Sequence, residues 1–514
     1  MTLLTQTLQR YAVTAPHKIA LQDTKQQLSY RELEARVDTL AKYFAQRRPR
    51  VIGLLADNGC DWAIVDLAAY RLQIPIVPLP IFFSATQIAN TIRDAGIDLI
   101  ITDRPTAMTH FTWQRCVANP ICSDMHDVWL RDIEPVALPE STWKITFTSG
   151  STGNPKGVCL ARDQLDNVAT QLCTASAASM HDRHLCMLPL STLLENIGGL
   201  YAALLAGATI YLPDMQKLGV MGSSGLHAAT FLAALLHWQP STGILVPQLL
   251  QALVALGRAG ARLPQTLRYI AVGGAPIANS ILQTARAFGL PVHEGYGLSE
   301  CGSVIAVNRA DADRLGSVGR PLPHVHIGFA DDGEILVRGL PWLGYLGDEK
   351  FHDSQFIATG DIGYLDDAGF LFITGRKKNL FITAFGRNVA PEWVERELIA
   401  QPSILQAAVF GEGRACNCAV IVAAPAVDTA AIIAALHAAN ANLPDYAQVQ
   451  LWLHAAEPFS PHNHQATANG RLRREQIYER YADDIDAIYA STTINADIDG
   501  HAEFLSASAV GNCA

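Results

Sequence analysis

Short apolar runs that alternate with amphipathic stretches constrain this chain more than any other feature. Val51-Ile52-Gly53-Leu54-Leu55 and Ile97-Asp98-Leu99-Ile100-Ile101 read as strands, separated by helix-like segments over 57–72 and 85–95. The same rhythm returns around 208–212, 243–246, 268–272 and 290–293. Strands joined through crossover helices pair in parallel, so a layered α/β architecture is predicted. Upstream, Ser29 and Glu32 form a capping box ahead of Leu33, Val37, Leu40, Ala41 and Phe44, which stand at helical spacing. Between 316 and 372 the texture changes to short alternating segments with Asp331-Asp332-Gly333 and Asp366-Asp367-Ala368-Gly369 as turns, which read as antiparallel hairpins. After Lys378 the mixed pattern resumes, with Pro391 opening a helix and strands near 407–410 and 419–423.

With 514 residues, 49% of them hydrophobic, the chain is too long for one core. The expected division is residues 1–376, layered α/β subdomains plus a small antiparallel β-barrel-like subdomain; 377–490, a small α+β domain; and 491–514, an irregular tail of small and polar residues. A net charge of −10 supplies no basic stripe and argues against nucleic acid. No apolar run approaches the ~20 residues of a membrane span, and Met1-Thr2-Leu3-Leu4-Thr5-Gln6 lacks the blocks of a secretory signal. The ten cysteines show no framework spacing and read as reduced thiols, so a soluble, cytoplasmic protein is expected. Cys416-Asn417-Cys418 and His462-Asn463-His464 each look like half a metal site, but with no partner pair at ligand spacing they read as strand and polar loop.

Thr148-Ser149-Gly150-Ser151-Thr152-Gly153-Asn154-Pro155-Lys156-Gly157 follows a short β-like run, Trp143 to Phe147. Its glycines let backbone approach a ligand, its hydroxyls and N–H groups can face anionic oxygens, and Lys156 adds a compact charge. It suits phosphate. It is not a Walker loop, since Pro155 stands where the second glycine belongs; nor is Gly295-Tyr296-Gly297-Leu298-Ser299-Glu300 a dinucleotide fingerprint, which would end in glycine.

Together with Gly273-Gly274-Ala275-Pro276, Glu294 to Glu300, Thr359-Gly360-Asp361 and Gly375-Arg376-Lys377-Lys378, this loop makes five ordered motifs. In them the chain, over roughly residues 5 to 485, resembles the adenylate-forming superfamily of acyl- and aryl-CoA synthetases, luciferases and peptide-synthetase adenylation domains. The resemblance implies that ATP and a carboxylic acid form an acyl-adenylate, which then passes to the thiol of CoA or of an acyl carrier protein. It implies phosphate contacts from Thr148, Ser149, Gly150, Ser151, Gly153 and Lys156, and Mg²⁺ held by Glu300 with Thr152. Tyr296, flanked by Gly295, Gly297 and Ser299, is implied to stack on adenine, with Gly274, Ala275 and Pro276 as the opposite wall. Asp361 is implied to take the ribose hydroxyls and Arg376 the sugar or its phosphate. The small domain is implied to be mobile about Lys378, with Gly386 and Arg387 meeting CoA.

One departure matters. The superfamily ends in a catalytic lysine, whereas Asn469-Gly470-Arg471-Leu472-Arg473-Arg474 has Arg471 there, and no lysine follows Lys378. Arginine keeps the charge but is bulkier and differently hydrated. Loss of a transition-state donor typically costs about 10²–10³ in rate, and a retained charge should cost less. A working but slower adenylation is expected, the rival reading being a non-catalytic nucleotide or acyl-adenylate binder.

For the acid, Leu190-Ser191-Thr192-Leu193-Leu194-Glu195-Asn196 resembles the corresponding segment of long-chain acyl-CoA synthetases, with Thr192 where those have histidine. Amino-acid-activating members carry an aspartate where this chain has Leu190. Thr192, Leu193, Asn196, Val246, Gly273 and Cys301 are therefore expected to line a pocket for a fatty or other apolar acid, since an unpaired ammonium would be costly to bury there.

Overall fold

The computed structural model describes residues 2–108, 111–119, 121–122, 125–130, 133–148, 156–221, 225–339, 342–348, 356–467, 470–491 and 505–506. The expected α/β layering is present as two large sheets. One has nine described strands and the other eight. In the nine-stranded sheet Val292–Tyr296, Tyr269–Val272, Thr242–Leu245, Arg183–Leu185, Thr209–Tyr211 and Ile19–Gln22 run in parallel, with antiparallel strands at both edges. In the other, a parallel centre of Leu99–Thr102, Ile52–Leu55, Ile76–Pro78 and Thr142–Thr148 continues through the antiparallel strands Lys156–Ala161 and Trp342–Tyr345.

Between the sheets lies Cys60–Leu72, a helix buried from Cys60 to Tyr70, whose two interior aspartates, Asp61 and Asp66, are paired with Arg36 and Lys144. Beside it Tyr30–Arg47 shows one apolar stripe; Ser29 accepts from the Glu32 N–H and Glu32 returns the bond, a cap worth about 1 kcal/mol. One continuous apolar cluster joins these helices to strands of both sheets.

The small antiparallel subdomain is a four-stranded sheet of His326–Phe329, Glu334–Arg338, Ile357–Leu365 and Leu371–Arg376. Beyond it a smaller domain packs Pro391–Ile399, Thr429–Asn440 and Arg474–Ser491 on a sheet containing Ile404–Phe410, Asn417–Ala423 and Val449–His454. Thr429–Asn440 was invisible to periodicity because Thr-Ala-Ala-Ile-Ile-Ala-Ala-Leu carries no polar face; Asp428 marks its start by accepting from the Ala431 N–H at 2.8 Å. Of the cysteine pair read as strand residues, Cys418 lies in strand Asn417–Ala423, whereas Cys416 lies in the bend before it. Most of 491–514 lies outside the described residues, but Leu505–Ser506 pair with Leu451–Trp452. No helix among the described residues is long and apolar enough to cross a membrane.

Candidate active site

A crevice of about 2590 Å³ runs between the large and small domains, and most of the expected site residues line it. Strands Thr142–Thr148 and Lys156–Ala161 are antiparallel with Thr148 opposite Lys156, so the loop between them leaves and returns at one point on the crevice wall. Ser149, Gly150, Ser151, Thr152 and Gly153 lie outside the described residues. Trp342–Tyr345 extends the same sheet, with Tyr345 opposite Val158. The Lys156 ammonium sits 5.1 Å from the centre of the Tyr345 ring, whose hydroxyl donates to Glu300 Oε1 at 2.7 Å.

Facing this group is the end of the parallel sheet, where open α/β folds leave a crevice at the strands' carboxyl ends. Gly273, Gly274, Ala275 and Pro276 follow Tyr269–Val272, while Gly295, Tyr296, Gly297, Ser299 and Glu300 close the next strand and its 3₁₀ turn. Gly274 has φ +90°, and a Cβ on Gly297 would collide with the backbone of Ser303. The Tyr296 hydroxyl donates to Asp361 Oδ2 at 2.6 Å. Arg376 pairs with Asp361 Oδ1 through Nε at 3.0 Å and donates through Nη1 to the Thr359 carbonyl at 3.2 Å. Asp361, expected in a turn, instead lies within strand Ile357–Leu365 as the register partner of Arg376, which is why two residues distant in sequence meet. Burial pushes the Asp361 carboxyl up, against Arg376 and Tyr296, which favour its ionised form.

From the small domain, Arg471 enters the same crevice on a short loop tied by its N–H to Thr467 Oγ1 at 3.0 Å. Its side chain stays open to the crevice, yet desolvation and Arg376 pull the guanidinium down, against the pull of Asp361, Glu300 and Tyr296. Those neighbours place Arg471 in the field of the carboxylates of the large domain. Lys378, in the 3₁₀ turn Lys377–Asn379, also lines the crevice, and burial lowers its pKa. Next to it Lys377 is anchored to Asp332 at 2.6 Å and Glu334 at 2.8 Å.

Thr192, Leu193, Val246 and Gly273 line the crevice, together with Leu172, Gly198, Ala202 and Ile244. Two expected residues do not. Asn196 is buried away from the crevice, its amide donating to Asp66 Oδ2 at 3.1 Å and its oxygen accepting from Lys144. Cys301 is wholly buried in the main apolar cluster, because the 3₁₀ turn that presents Glu300 directs its neighbour into the core. Gly386 and Arg387 are exposed between the hairpin strands Phe381–Ile382 and Asn388–Val389, outside the crevice in this arrangement of the domains.

Among the lining residues that sequence reasoning did not single out, Tyr345 and Gly198 bear most on the site. Tyr345 arrives only through strand pairing and had no local signal. Gly198 sits in the π-helix Glu195–Tyr201, a rare form frequent at functional sites, and the Gly198-Gly199 pair was its available signal.

A family model described as AMP-binding enzyme matches residues 8–346, and one described as AMP-binding enzyme C-terminal domain matches 378–493. A 2-succinylbenzoate–CoA ligase of Bacillus velezensis is 28% identical over 79% of this chain and 84% of its own. A long-chain-fatty-acid–CoA ligase of Mycobacterium bovis is 26% identical over 84% and 86%. Among solved structures, an anthranilate CoA ligase in complex with anthranoyl-AMP superposes with a TM-score of 0.78 at 18% identity, covering 95% of this chain and 99% of that one. The o-succinylbenzoate coenzyme A synthetase of Bacillus subtilis with ATP and magnesium ion does so at 0.70 and 23% identity, covering 91% and 98%. At these identities the structural likeness establishes the fold.

Proposed function

This chain belongs to the AMP-binding enzyme family, and from that premise we propose the roles of its residues and the acid it activates. It is an AMP-forming acid–thiol ligase whose reactants are a carboxylic acid, ATP with Mg²⁺, and CoA. A carboxylate is a poor acyl donor because its leaving group would be oxide. The acid oxygen therefore attacks the α-phosphorus, the bond to pyrophosphate breaks, and the acyl carbon acquires AMP as leaving group. Two anions must approach each other, so cations have to be in place beforehand.

Lys156 and Arg471 supply that charge from opposite walls, Arg471 standing where the superfamily has lysine and gripping the acyl carboxylate and α-phosphate. Tyr296 stacks on adenine, Asp361 accepts from the ribose hydroxyls, and Arg376, already aligned by Asp361, contacts the same sugar or its phosphate. Glu300 fits a hard cation: Tyr345 occupies Oε1, and among the described residues no hydrogen-bond partner takes the other oxygen. Mg²⁺ bound there supplies Lewis-acid polarisation of phosphoryl oxygens. Thr152 is the second proposed ligand.

For thioester formation the thiol attacks the acyl carbon and AMP leaves. The exposed Gly386 and Arg387 are assigned to this step, reached by rotation of the domain 377–490 against 1–376 about Lys378.

The acid is proposed to be fatty or otherwise apolar and elongated. The carrying observation is the lining around Thr192: Leu172, Leu194, Gly198, Ala202 and Ile244 are apolar, and of the ionisable groups beside the π-helix His184 is already bonded to Glu195 and Thr242, and Asp182 to Arg268. An acid with a second carboxylate would find His184 already engaged by Glu195 and Thr242, and would bury its charge near the carboxylate of Asp182. An apolar aryl acid is the second reading, favoured by the likeness to aryl-CoA ligases. Thioester formation from CoA across fatty acids, benzoates and aryl dicarboxylates, followed by mass spectrometry, tests the choice. Highest kcat/KM with medium or long fatty acids supports it, and preference for an aryl dicarboxylate overturns it.

A further inference from the structure

Glu300 and Lys156 come from separate parts of the chain, yet both touch one side chain that the adenylation chemistry has not used. Tyr345 lies beside the base of the phosphate loop: it is opposite Val158 in register, the Leu346 N–H donates to the Gly157 carbonyl at 2.8 Å, and Trp342 packs edge-on to the phenol ring at 5.3 Å. Glycine at 157 permits this approach, since a Cβ there would strike Leu346. The backbone seat is therefore fixed independently of the hydroxyl. That hydroxyl donates to Glu300 Oε1 at 2.7 Å, while the ring face lies 5.1 Å from the Lys156 ammonium, within the ~6 Å over which a cation is drawn to an aromatic face. Glu300 is held on its other side too, its carbonyl accepting from Gln164 Nε2 at 3.0 Å.

We propose that Tyr345 is a positioning residue that presents Glu300 to the cation and keeps Lys156 from collapsing onto that carboxylate; the inference rests on the adenylation reading above. The hydroxyl saturates one carboxylate oxygen and leaves the other for the metal. The ring offers the ammonium a weak partner that a phosphate readily outcompetes, whereas a direct Lys156–Glu300 ion pair would neutralise the two charges the reaction requires. Were the residue there only to pack against Trp342, its hydroxyl would be dispensable.

The test compares full-length wild type, Y345F, Y345L, E300Q and the double variant Y345F/E300Q. Mn²⁺ binding is titrated by electron paramagnetic resonance with a non-hydrolysable ATP analogue present, and thermal unfolding is recorded alongside. Y345F should weaken Mn²⁺ half-saturation about tenfold or more, as expected when a group orienting a metal ligand is lost, with Tm and the KM for the acid unchanged. Y345L should in addition raise the KM for ATP. In the E300Q background Y345F should have no further effect on Mn²⁺. Wild-type Mn²⁺ affinity in a folded Y345F, or an effect of Y345F that adds fully to that of E300Q, overturns the proposal while leaving the ligase reading intact. If Y345L does not fold, Y345F and the double variant decide the matter. A wild type that binds no Mn²⁺ with nucleotide overturns both readings.

Discussion

Arg471 carries the chain's sharpest departure from its superfamily, and its position makes the departure testable. It lies in one crevice with Asp361, Glu300 and Arg376 and feels the charge of each. R471A should lower the rate of adenylate formation about 10²–10³-fold with little change in the KM for ATP, because the lost contact is made in the transition state. R471K should retain activity within about tenfold. Steady-state kinetics of the exchange half-reaction check both. At this scale the legible residues were those whose motif fixes backbone shape: the glycines around Tyr296, and Thr359-Gly360-Asp361, where Gly360 takes φ +71° within strand Ile357–Leu365. Asn196 and Cys301 were misread because adjacency in sequence does not say which way a side chain turns. Asn196 is one step past Glu195, whose Oε2 accepts from the Met187 and Leu188 N–H groups, and both residues point inward. Tyr345 could not be foreseen, since its partners stand 45 and 189 positions away.

Among the elements, the π-helix Glu195–Tyr201 connects the acid pocket to the core. Its Gly198 leaves space that a Cβ would share with Ile244 Cδ1 at 3.2 Å and Leu172 Cδ1 at 3.4 Å. G198L should therefore block the acyl channel: kcat/KM for long acids should fall at least tenfold while short acids are spared, read from a chain-length series. Behind the same helix Lys144, wholly buried, pairs with Asp66 at 2.8 Å, and Tyr201 donates to Asp66 at 2.6 Å. Burial pulls the lysine's pKa down and Asp66 opposes this. K144M leaves a buried carboxylate without its cation and should cost about 3–5 kcal/mol in denaturant unfolding, whereas replacing both partners with apolar residues should cost much less. No element was legible over 195–201, since the local period of a π-turn differs from 3.6, and a lysine in a β-like run gave no hint of its buried partner.

At the scale of the molecule, the two domains face each other across Glu294. Burial pushes this carboxyl up to about 8; Arg396 of the small domain and Arg286 oppose the rise, and Asp313 adds to it. Unfolded, the group loses its proton near its ordinary value of 4.5. Between those values the folded state binds the extra proton, so stability falls as pH rises through the window. E294Q should remove this loss: its Tm advantage over wild type should widen from pH 5 to pH 9, and a constant difference would refute the assignment. The βαβ rhythm and the change to hairpins after 316 made the layered large domain and the antiparallel sheet legible, because both rest on local periodicity. How the small domain delivers Arg471 to the large one was not legible, being a matter of docking.

Everything functional rests on cations from both domains meeting around one phosphorus. Incorporation of labelled pyrophosphate into ATP, measured without CoA across a panel of carboxylic acids, addresses that directly. The account predicts acid-dependent exchange, strongest with apolar acids and reduced about 10²–10³-fold in R471A. Absence of exchange with every acid, or exchange unaffected by R471A, would contradict it.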